Sequence, residues 1–238
     1  MSKPVDLSVI IPAYREADNL RLLLPRLIKV LDGMGLQHEV LVVDTNPTKD
    51  ETPEVCREWP VRRIPRVGGD CYGDAIRTGI GSSSGRYILF MDADGSHAPE
   101  FIPNLWSAVD GNDVVVASRY VTGGDTENPW SLILMSRVLN VVYAVTLGLD
   151  CHDVSNSFKL YRGDLVRPLK LRCRHFDIVE ELMVMARIRA GRLCIKEVPF
   201  LFKKRMFGET KRNVPLFVLS FYVTLIKLWF MRIKTRRS

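Results

Sequence analysis

The chain has 238 residues, of which 47% are apolar and 26% charged, and this balance excludes an intrinsically disordered protein. Its five cysteines are scattered and form no C-x-x-C pair, which argues against a zinc site or a disulfide framework and for a reducing compartment. Twelve Lys and Arg but only two Glu lie in residues 192–238, so this segment has a net charge of +10. The other residues have a net charge of −3, which gives the overall charge of +7. Such a basic end predicts an anionic partner: phospholipid, nucleic acid or a phosphorylated substrate.

Four short apolar runs predict buried strands, because they show none of the polar alternation of a half-exposed strand. They are Leu7–Ile11, Val40–Val43, Tyr87–Met91 and Val114–Ala117. The helical patterns between and after them are Asp18–Leu31, Glu51–Glu58, Asp70–Ile80 and Pro99–Val109. Asp18 and Asp70 are the expected N-caps of two of these helices. Strands that alternate with helices predict an α/β fold with a mostly parallel sheet.

The second half of the chain is predicted to hold two helices, Leu132–Leu149 and Phe176–Ala190, and a strand, Cys194–Val198. The first helix is apolar except for Ser136, Arg137 and Asn140. It suits either a core helix or a helix beside a lipid acceptor, and the sequence leaves both interpretations open.

The end of the chain predicts an amphipathic helix over Val214–Ile233, with Ser220, Thr224 and Lys227 on one polar stripe. Its uninterrupted apolar run is about ten residues, whereas a bilayer span needs about 20. A helix in the membrane interface therefore fits better, with the flanking Lys and Arg near anionic headgroups. A core-packing or dimer-forming helix is the alternative. The N-terminal apolar run is too short for a signal peptide, so a cytosolic body is expected.

Polar residues follow each predicted strand, where the ligands of a parallel sheet gather. They are Pro12–Glu16, Asp44, the pair Asp92 and Asp94, and Ser118 with Arg119. Two carboxylates one residue apart suit a hard cation, Mg²⁺ or Mn²⁺, whose shell substrate phosphates complete. Such a cation would act as a Lewis acid on a departing diphosphate.

Several motifs occur in the order found in one family. IPAYRE, VVD, YGDAIRTGI and MDADGSHAPE resemble the family 2 glycosyltransferases of GT-A fold. SRYVTGG, SNSFKLYR and EVPFLFKKRMFGETK resemble, within that family, the dolichyl- and polyprenyl-phosphate sugar synthases of the dolichol-phosphate mannosyltransferase type. The resemblance covers about residues 7–212.

This resemblance implies the roles of individual residues. The implied donor-binding residues are Pro12, Tyr14, Glu16, Val42, Asp44, Asp92, Ala93, Asp94, Arg119, Arg205 and Lys211. The implied metal-binding residues are Asp92, Asp94 and Ser96, the implied catalytic residues are Asp92, Asp94 and Arg119, and the implied acceptor-binding residues are Ser136 and Arg137. Two positions depart from the family pattern: Thr45 replaces a second acid, and Leu132 stands where these enzymes place an Arg.

The resemblance also implies the organisation and the reaction. Residues 1–212 would form the catalytic domain, with a donor half at 1–118 and an acceptor half at 119–212, and residues 213–238 a basic membrane-associating tail. The enzyme would move a hexose, with inversion, from a nucleotide-diphosphate donor to polyprenyl or dolichyl phosphate at the cytoplasmic face of a membrane. GDP-mannose is the favoured donor and a UDP-sugar the alternative. A phosphate acceptor is already anionic at neutral pH, so no general base is needed.

The sequence also offers alternatives to this function. Transfer to a glycan hydroxyl would need a base, for which Glu180 and Glu181 are the candidates. A catalytically degenerate membrane-bound scaffold is suggested by Thr45. Sugar-phosphate nucleotidylyltransferases are disfavoured because IPAYREADN has no glycine, and nucleic-acid binding because the basic residues form no recognisable binding motif.

Overall fold

A central β-sheet organises the chain, in a computed structural model that describes residues 3–203 and 223–230. The strands are β1 (Leu7–Pro12), β2 (His38–Asp44), β3 (Arg62–Pro65), β4 (Tyr87–Phe90), β5 (Val114–Ser118), β6 (Asp125–Thr126), β7 (Lys159–Arg162), β8 (Ile195–Pro199) and β9 (Leu201–Phe202). Seven of them form one sheet in the order β3-β2-β1-β4-β7-β5-β8, and β6 pairs with β9. Only β7 runs antiparallel to its neighbours in this sheet. The predicted α/β fold with a mostly parallel sheet is confirmed.

Helices cover both faces of the sheet. They are α1 (Ala17–Gly33), α2 (Thr52–Arg57), α3 (Tyr72–Ser82), α4 (Ile102–Trp106), α5 (Trp130–Leu147), α6 (Gly163–Val166) and α7 (Ile178–Ala190). In β1, Val9 and Ile11 pack into the core shared with α1, whereas Ile10 packs into the core shared with α3 and α7. Successive side chains of a strand point to opposite faces, so a strand covered on both sides needs an unbroken apolar run.

Four strands and two helix starts differ from the sequence-based expectation. Strands β3 and β7 are absent from it because each has four residues and contains Lys or Arg, and β6 and β9 because each has only two residues. The predicted N-caps were wrong. Helix α1 begins at Ala17, whose N–H donates to Asp50 Oδ2 at 2.9 Å, so Asp18 lies within the first turn. Helix α3 is capped by Cys71, while Asp70 forms an ion pair with Lys49.

Helix α5 turns an apolar face to the outside. Its buried residues are Asn140, Tyr143 and Leu147. Its exposed stripe, which we call the outer face of α5, consists of Trp130, Leu134, Val138, Val141 and Val145. By length and composition α5 could also cross a membrane, and it is the one such helix in the described part of the chain. A soluble core helix would bury this stripe, so the interpretation as an ordinary core helix is wrong.

The helical segment 223–230 also exposes apolar side chains. The rest of the predicted helix Val214–Ile233 lies outside the described residues. Thr224 and Leu228 are buried against the protein, and Thr224 Oγ1 donates to Asp177 Oδ2 at 3.2 Å. The exposed apolar side chains are Val223, Ile226, Trp229 and Phe230. Lys227 of the predicted polar stripe is also exposed, but its Nζ donates to Cys173 Sγ at 3.3 Å, so both described residues of that stripe contact the protein while apolar side chains face outward.

Gly79 allows the close approach of α3 to β1 and provides a test of this packing. A Cβ atom at Gly79 would lie 2.4 Å from Ile10 Cγ2, whereas a Cβ at Gly81 would meet nothing within 4 Å. We expect Gly79→Ala to lower the free energy of unfolding by about 1–3 kcal/mol, as overpacking of a core does. Gly81→Ala should leave it unchanged or raise it by about 0.5–1 kcal/mol, since alanine favours the helix. Urea denaturation of both variants measures the difference; equal effects would contradict the packing.

Candidate active site

The loop after β4 places Asp92 between two hydroxyl groups. Tyr72, at the start of α3, donates its phenol proton to Asp92 Oδ1 at 3.0 Å, and Ser157, just before β7, donates to Asp92 Oδ2 at 2.9 Å. Burial and the nearby Asp92 carboxylate raise the pKa of Tyr72, so its phenol keeps the proton that it donates. Asp92 is thus oriented by residues that are 20 and 65 positions away in the chain.

Asp94 closes a tight turn two residues further on. Its Oδ1 accepts the Ser96 backbone N–H at 3.0 Å and the Ser96 hydroxyl at 2.6 Å. Gly95 sits between them with φ of 82°, a left-handed conformation that glycine adopts at no steric cost. The predicted metal-binding side chains are therefore neighbours on one loop.

His97 holds the backbone of this loop by a hydrogen bond to Asp92. The ring is fully buried and stacks on Phe158 with centroids 4.6 Å apart. Its Nδ1 accepts the Asp92 backbone N–H at 3.0 Å. Burial lowers the pKa of His97, so the imidazole is neutral and carries its proton on Nε2.

The segment after β1 meets the end of β2 at the same edge of the sheet. Asp44 is fully buried; its Oδ2 accepts from Arg63 Nε at 2.9 Å, and its Oδ1 accepts the Thr45 N–H at 2.7 Å. The side chain of Val42 is buried in the core, so this strand could offer a ligand only its backbone there. Tyr14 is exposed, and Lys49 Nζ lies 4.9 Å from its ring centroid.

Arg66 is a buried cation at this edge that the motifs did not reveal. Its Nη2 donates to the Ala13 carbonyl at 2.6 Å, and its Nη1 donates to the Asp70 carbonyl at 2.7 Å. It therefore ties the segment after β1 to the loop that leads into α3. Pro12 and Ala93 are also buried here, and Glu16 accepts from Asn19 Nδ2 at 2.5 Å.

Arg119, at the end of β5, forms a buried ion pair with Asp153. Its Nε donates to Asp153 Oδ2 at 2.8 Å and its Nη2 to Oδ1 at 2.6 Å, and its backbone N–H also donates to Oδ2 at 2.9 Å. Burial opposes the positive charge, but the Asp153 carboxylate outweighs it and raises the pKa of Arg119. Sequence reasoning left the role of Asp153 open, because only the fold brings it to Arg119.

Arg137 of α5 lies near Arg119, because both guanidinium groups lie close to the ring of Tyr120. The guanidinium carbons of Arg119 and Arg137 lie 4.9 and 5.3 Å from the ring centroid of Tyr120. Arg137 is exposed, while Ser136 is half-buried beside Asn140. Of the two predicted acceptor-binding residues, Arg137 thus shares the Tyr120 ring with Arg119, whereas Ser136 lies against Asn140 of its own helix.

The candidate bases Glu180 and Glu181 lie in the first turn of α7 and are both buried. Glu181 accepts the backbone N–H groups of Arg172 and Cys173 at 2.9 and 2.7 Å, so its carboxylate holds the preceding loop. Arg205 and Lys211 lie outside the described residues.

The donor set at Asp92, Asp94 and Ser96 fits a hard cation. All three side chains offer oxygen atoms, which Mg²⁺ and Mn²⁺ prefer, and the neutral hydroxyl groups of Tyr72 and Ser157 orient the Asp92 carboxylate. Within residues 3–203 and 223–230, no three His, Cys, Asp or Glu side chains cluster as a complete metal site. A cation at this loop would therefore rely on ligands beyond the two carboxylates, as one shared with a diphosphate does.

A mostly parallel sheet with one inserted antiparallel strand, and a D-x-D loop at the carboxyl end of a central strand, define the GT-A fold. Solved structures of low sequence identity share this fold. A mycobacterial protein superposes with a TM-score of 0.74 at 16% identity, over 94% of this chain and 74% of that one. Glucosyl-3-phosphoglycerate synthase from Mycobacterium tuberculosis, in complex with Mn²⁺, UDP and phosphoglyceric acid, superposes with a TM-score of 0.72 at 18% identity, over 94% and 78%.

The chain belongs to glycosyl transferase family 2, whose model matches residues 8–169. It is 34% identical over 211 residues to the dolichol-phosphate mannosyltransferase of Pyrococcus furiosus and 34% identical over 223 residues to the undecaprenyl-phosphate mannosyltransferase of Micrococcus luteus. The polyprenol monophosphomannose synthase of Mycolicibacterium smegmatis is 32% identical over 225 residues. Each match covers 86% of this chain, and the chain spans 58%, 86% and 80% of these relatives. The predicted family and glycosyltransferase class are confirmed.

The buried Arg119–Asp153 pair generates a test of the site's rigidity. We expect Asp153→Asn to lower the free energy of unfolding by about 3 kcal/mol or more, because it leaves the Arg119 charge buried without its partner. Asp164→Asn is the matched control, since its pair with Arg162 is exposed and such pairs contribute less than about 1 kcal/mol. Urea denaturation at neutral pH compares them. A loss of less than 1 kcal/mol for Asp153→Asn would show that the pair does not hold the site.

Proposed function

We propose that this enzyme transfers a hexose from a nucleotide-diphosphate donor to a polyprenyl or dolichyl phosphate, with inversion at the anomeric carbon. The observation that carries the proposal is the position of α5. Its exposed apolar stripe lies on the same helix as Arg137, which shares the Tyr120 ring with Arg119 at the carboxyl edge of the sheet. A surface for a lipid chain and two cations for its phosphate are thus joined beside the D-x-D loop.

The donor side follows from the loop after β4. Asp92, Asp94 and Ser96 would hold Mg²⁺ or Mn²⁺, and a structural neighbour is described in complex with Mn²⁺ and UDP. When bound, this cation would supply charge neutralisation for the departing nucleoside diphosphate. Tyr72 and Ser157 keep Asp92 in place before the substrate arrives. GDP-mannose is the favoured donor, since three relatives are named for mannose transfer, and a UDP-sugar is the alternative.

The acceptor side needs cations more than a base. A phosphate monoester is anionic at neutral pH, because its second pKa is about 6, so nothing has to remove a proton before attack. Arg137 would reduce the repulsion between this nucleophile and the donor diphosphate, whereas the charge of Arg119 is offset by Asp153, so Arg119 would add a hydrogen-bond donor at the same place. In this proposal Arg137 binds the acceptor phosphate in place of the family's Arg, whose position is occupied by Leu132. Arg205 and Lys211 would close over the diphosphate.

The enzyme is proposed to lie at the cytoplasmic face of a membrane, and two apolar surfaces support its contact with the membrane interface. The outer face of α5 and the exposed side chains of 223–230 would lie among the acyl chains. The basic residues of the tail 213–238 would lie near anionic headgroups. Residues 1–118 would then bind the donor and residues 119–212 the acceptor.

Transfer to a glycan hydroxyl is the second candidate. It requires a carboxylate base at the site, but Glu181 is engaged with the backbone of Arg172 and Cys173, and Glu180 is buried in α7. The lipid-phosphate reaction needs no such base and is therefore favoured. The scaffold alternative predicts no coupling between metal and nucleotide binding, which the next experiment measures.

An assay with GDP- and UDP-sugars, polyprenyl phosphate and Mn²⁺ tests the proposal directly. We expect a lipid-linked sugar from one donor, and Asp94→Asn should lower kcat by about a hundredfold or more, as the loss of one electrostatic stabiliser does. Asp110→Asn, on an exposed loop at the opposite edge of the sheet, is the control and should retain full activity. Calorimetry should show that Mn²⁺ tightens nucleotide binding in the wild type and not in Asp94→Asn. Extension of a soluble glycan without lipid-linked product would refute the proposal.

Membrane association can be tested with two equally exposed valines. Val145 on the outer face of α5 is 76% exposed and Val67, in the loop before α3, is 73% exposed. We expect Val145→Glu to lower partitioning into anionic vesicles at least about fivefold, because a charge opposes burial in the interface. Val67→Glu should have little effect. Cosedimentation with vesicles provides the measurement, and equal behaviour of the two variants would argue against membrane contact through α5.

A further inference from the structure

Asn140 is the polar attachment point of helix α5. The helix has three buried residues, and no residue before Asn140 is buried. Asn140 itself is 1% exposed and makes specific hydrogen bonds, whereas Tyr143 and Leu147 pack into the apolar core. Asn140 is therefore the first fully buried residue of α5 and holds its first half against the protein by hydrogen bonds, beside the partly buried Leu139.

The hydrogen bonds of Asn140 join the helix to one residue of the loop 151–157. Asn140 Oδ1 accepts the Ser155 backbone N–H at 2.9 Å, and Asn140 Nδ2 donates to Ser155 Oγ at 3.1 Å. Nδ2 also donates to the Ser136 carbonyl at 2.9 Å, which orients the amide group along its own helix. Both ends of the Asn140 amide are thus used.

The same loop holds the two charged groups of the site. Ser155 Oγ accepts a hydrogen bond from Arg119 Nη2 at 3.1 Å, two residues after Asp153 forms its ion pair with Arg119. Two residues after Ser155, Ser157 donates to the Asp92 carboxylate at 2.9 Å. A change in the position of α5 at Asn140 would reach Arg119 through one shared atom, Ser155 Oγ.

We infer that Asn140 is a positioning residue that sets helix α5, and with it Arg137, in register with Arg119 for the acceptor phosphate. This inference rests on the proposed lipid-phosphate transfer. Lys159 Nζ donates to the Val154 carbonyl at 2.6 Å and Asn156 Nδ2 donates to the Ala117 carbonyl, so the loop stays attached to the sheet without Asn140. Loss of the Asn140 link therefore affects the acceptor side and leaves the donor side in place.

The test compares Asn140→Leu, which keeps the volume and removes the hydrogen bonds, with Asn140→Asp, which can still accept from the Ser155 N–H. Asn128→Leu is the matched control, because the Asn128 side chain bonds to Thr126 within its own loop. We expect Asn140→Leu to raise the KM for polyprenyl phosphate about tenfold, the effect of roughly one lost hydrogen bond. The Kd of the nucleotide in the presence of Mn²⁺ should change less than about twofold, and Asn140→Asp should recover part of the acceptor KM.

Hydrogen exchange gives a second readout that needs no turnover. The Ser155 amide should exchange about tenfold faster in Asn140→Leu and at the wild-type rate in Asn128→Leu. Ser155→Ala removes the Oγ contact with Asn140 and Arg119 but keeps the backbone hydrogen bond to Asn140, so in that background the effect of Asn140→Leu on the acceptor KM should shrink but not vanish.

A merely structural role would lower donor and acceptor binding together in proportion to the unfolded fraction, and that result would overturn the inference. Unchanged exchange and unchanged KM in Asn140→Leu would overturn it as well. If the wild type makes no lipid-linked product from any donor, the proposed function falls and so does the acceptor role of Asn140. Faster Ser155 exchange in that case would still establish the link between α5 and the loop.

Discussion

The ion pair between Arg119 and Asp153 is the contact on which the site depends. Asp153 is fully buried and Arg119 nearly so, and the carboxylate receives three hydrogen bonds from one residue. Separation of two such charges in a medium of low polarity is costly, so the end of β5 and the loop 151–157 move as one unit. From this loop, Ser157 orients Asp92 and Ser155 contacts Asn140 of α5. The D-x-D loop, Arg119 and helix α5 are therefore all in contact with the loop 151–157.

The charges at the carboxyl edge are divided into two kinds. Asp44 and Asp153 are each paired with an arginine, and these pairs stabilise the arrangement of the strand ends. Asp92, by contrast, accepts hydrogen bonds from the hydroxyl groups of Tyr72 and Ser157, which are neutral. A carboxylate held by neutral donors keeps its negative charge available to a cation, whereas one paired with an arginine does not. This difference favours Asp92 over Asp44 as a ligand for a metal ion.

The sequence predicted the parallel strands well, because strands covered on both faces require unbroken apolar runs such as those of β1 and β4. It missed β7, because Lys159 in a four-residue strand reads as polar, although the fold buries this lysine and satisfies it with the Val154 carbonyl. The sequence also placed Asp92, Asp94 and Arg119 at one edge of the sheet. It did not find Tyr72 or Ser157 as partners of Asp92, since nothing in their local pattern distinguishes them from other helix-start and loop residues.

The sequence by itself determined the family, the α/β fold class and the place of the D-x-D pair, because each depends on local patterns: apolar runs, strand ends and ordered motifs. The tertiary structure alone decided what those residues contact. Asp153 pairs with Arg119 across 34 positions of the chain, and Asn140 meets Ser155 only when α5 folds back over the loop. It also decided that α5 faces outward, since the same apolar helix could have packed in a core. Exposure is set by what the rest of the chain leaves uncovered, and no local pattern contains that information.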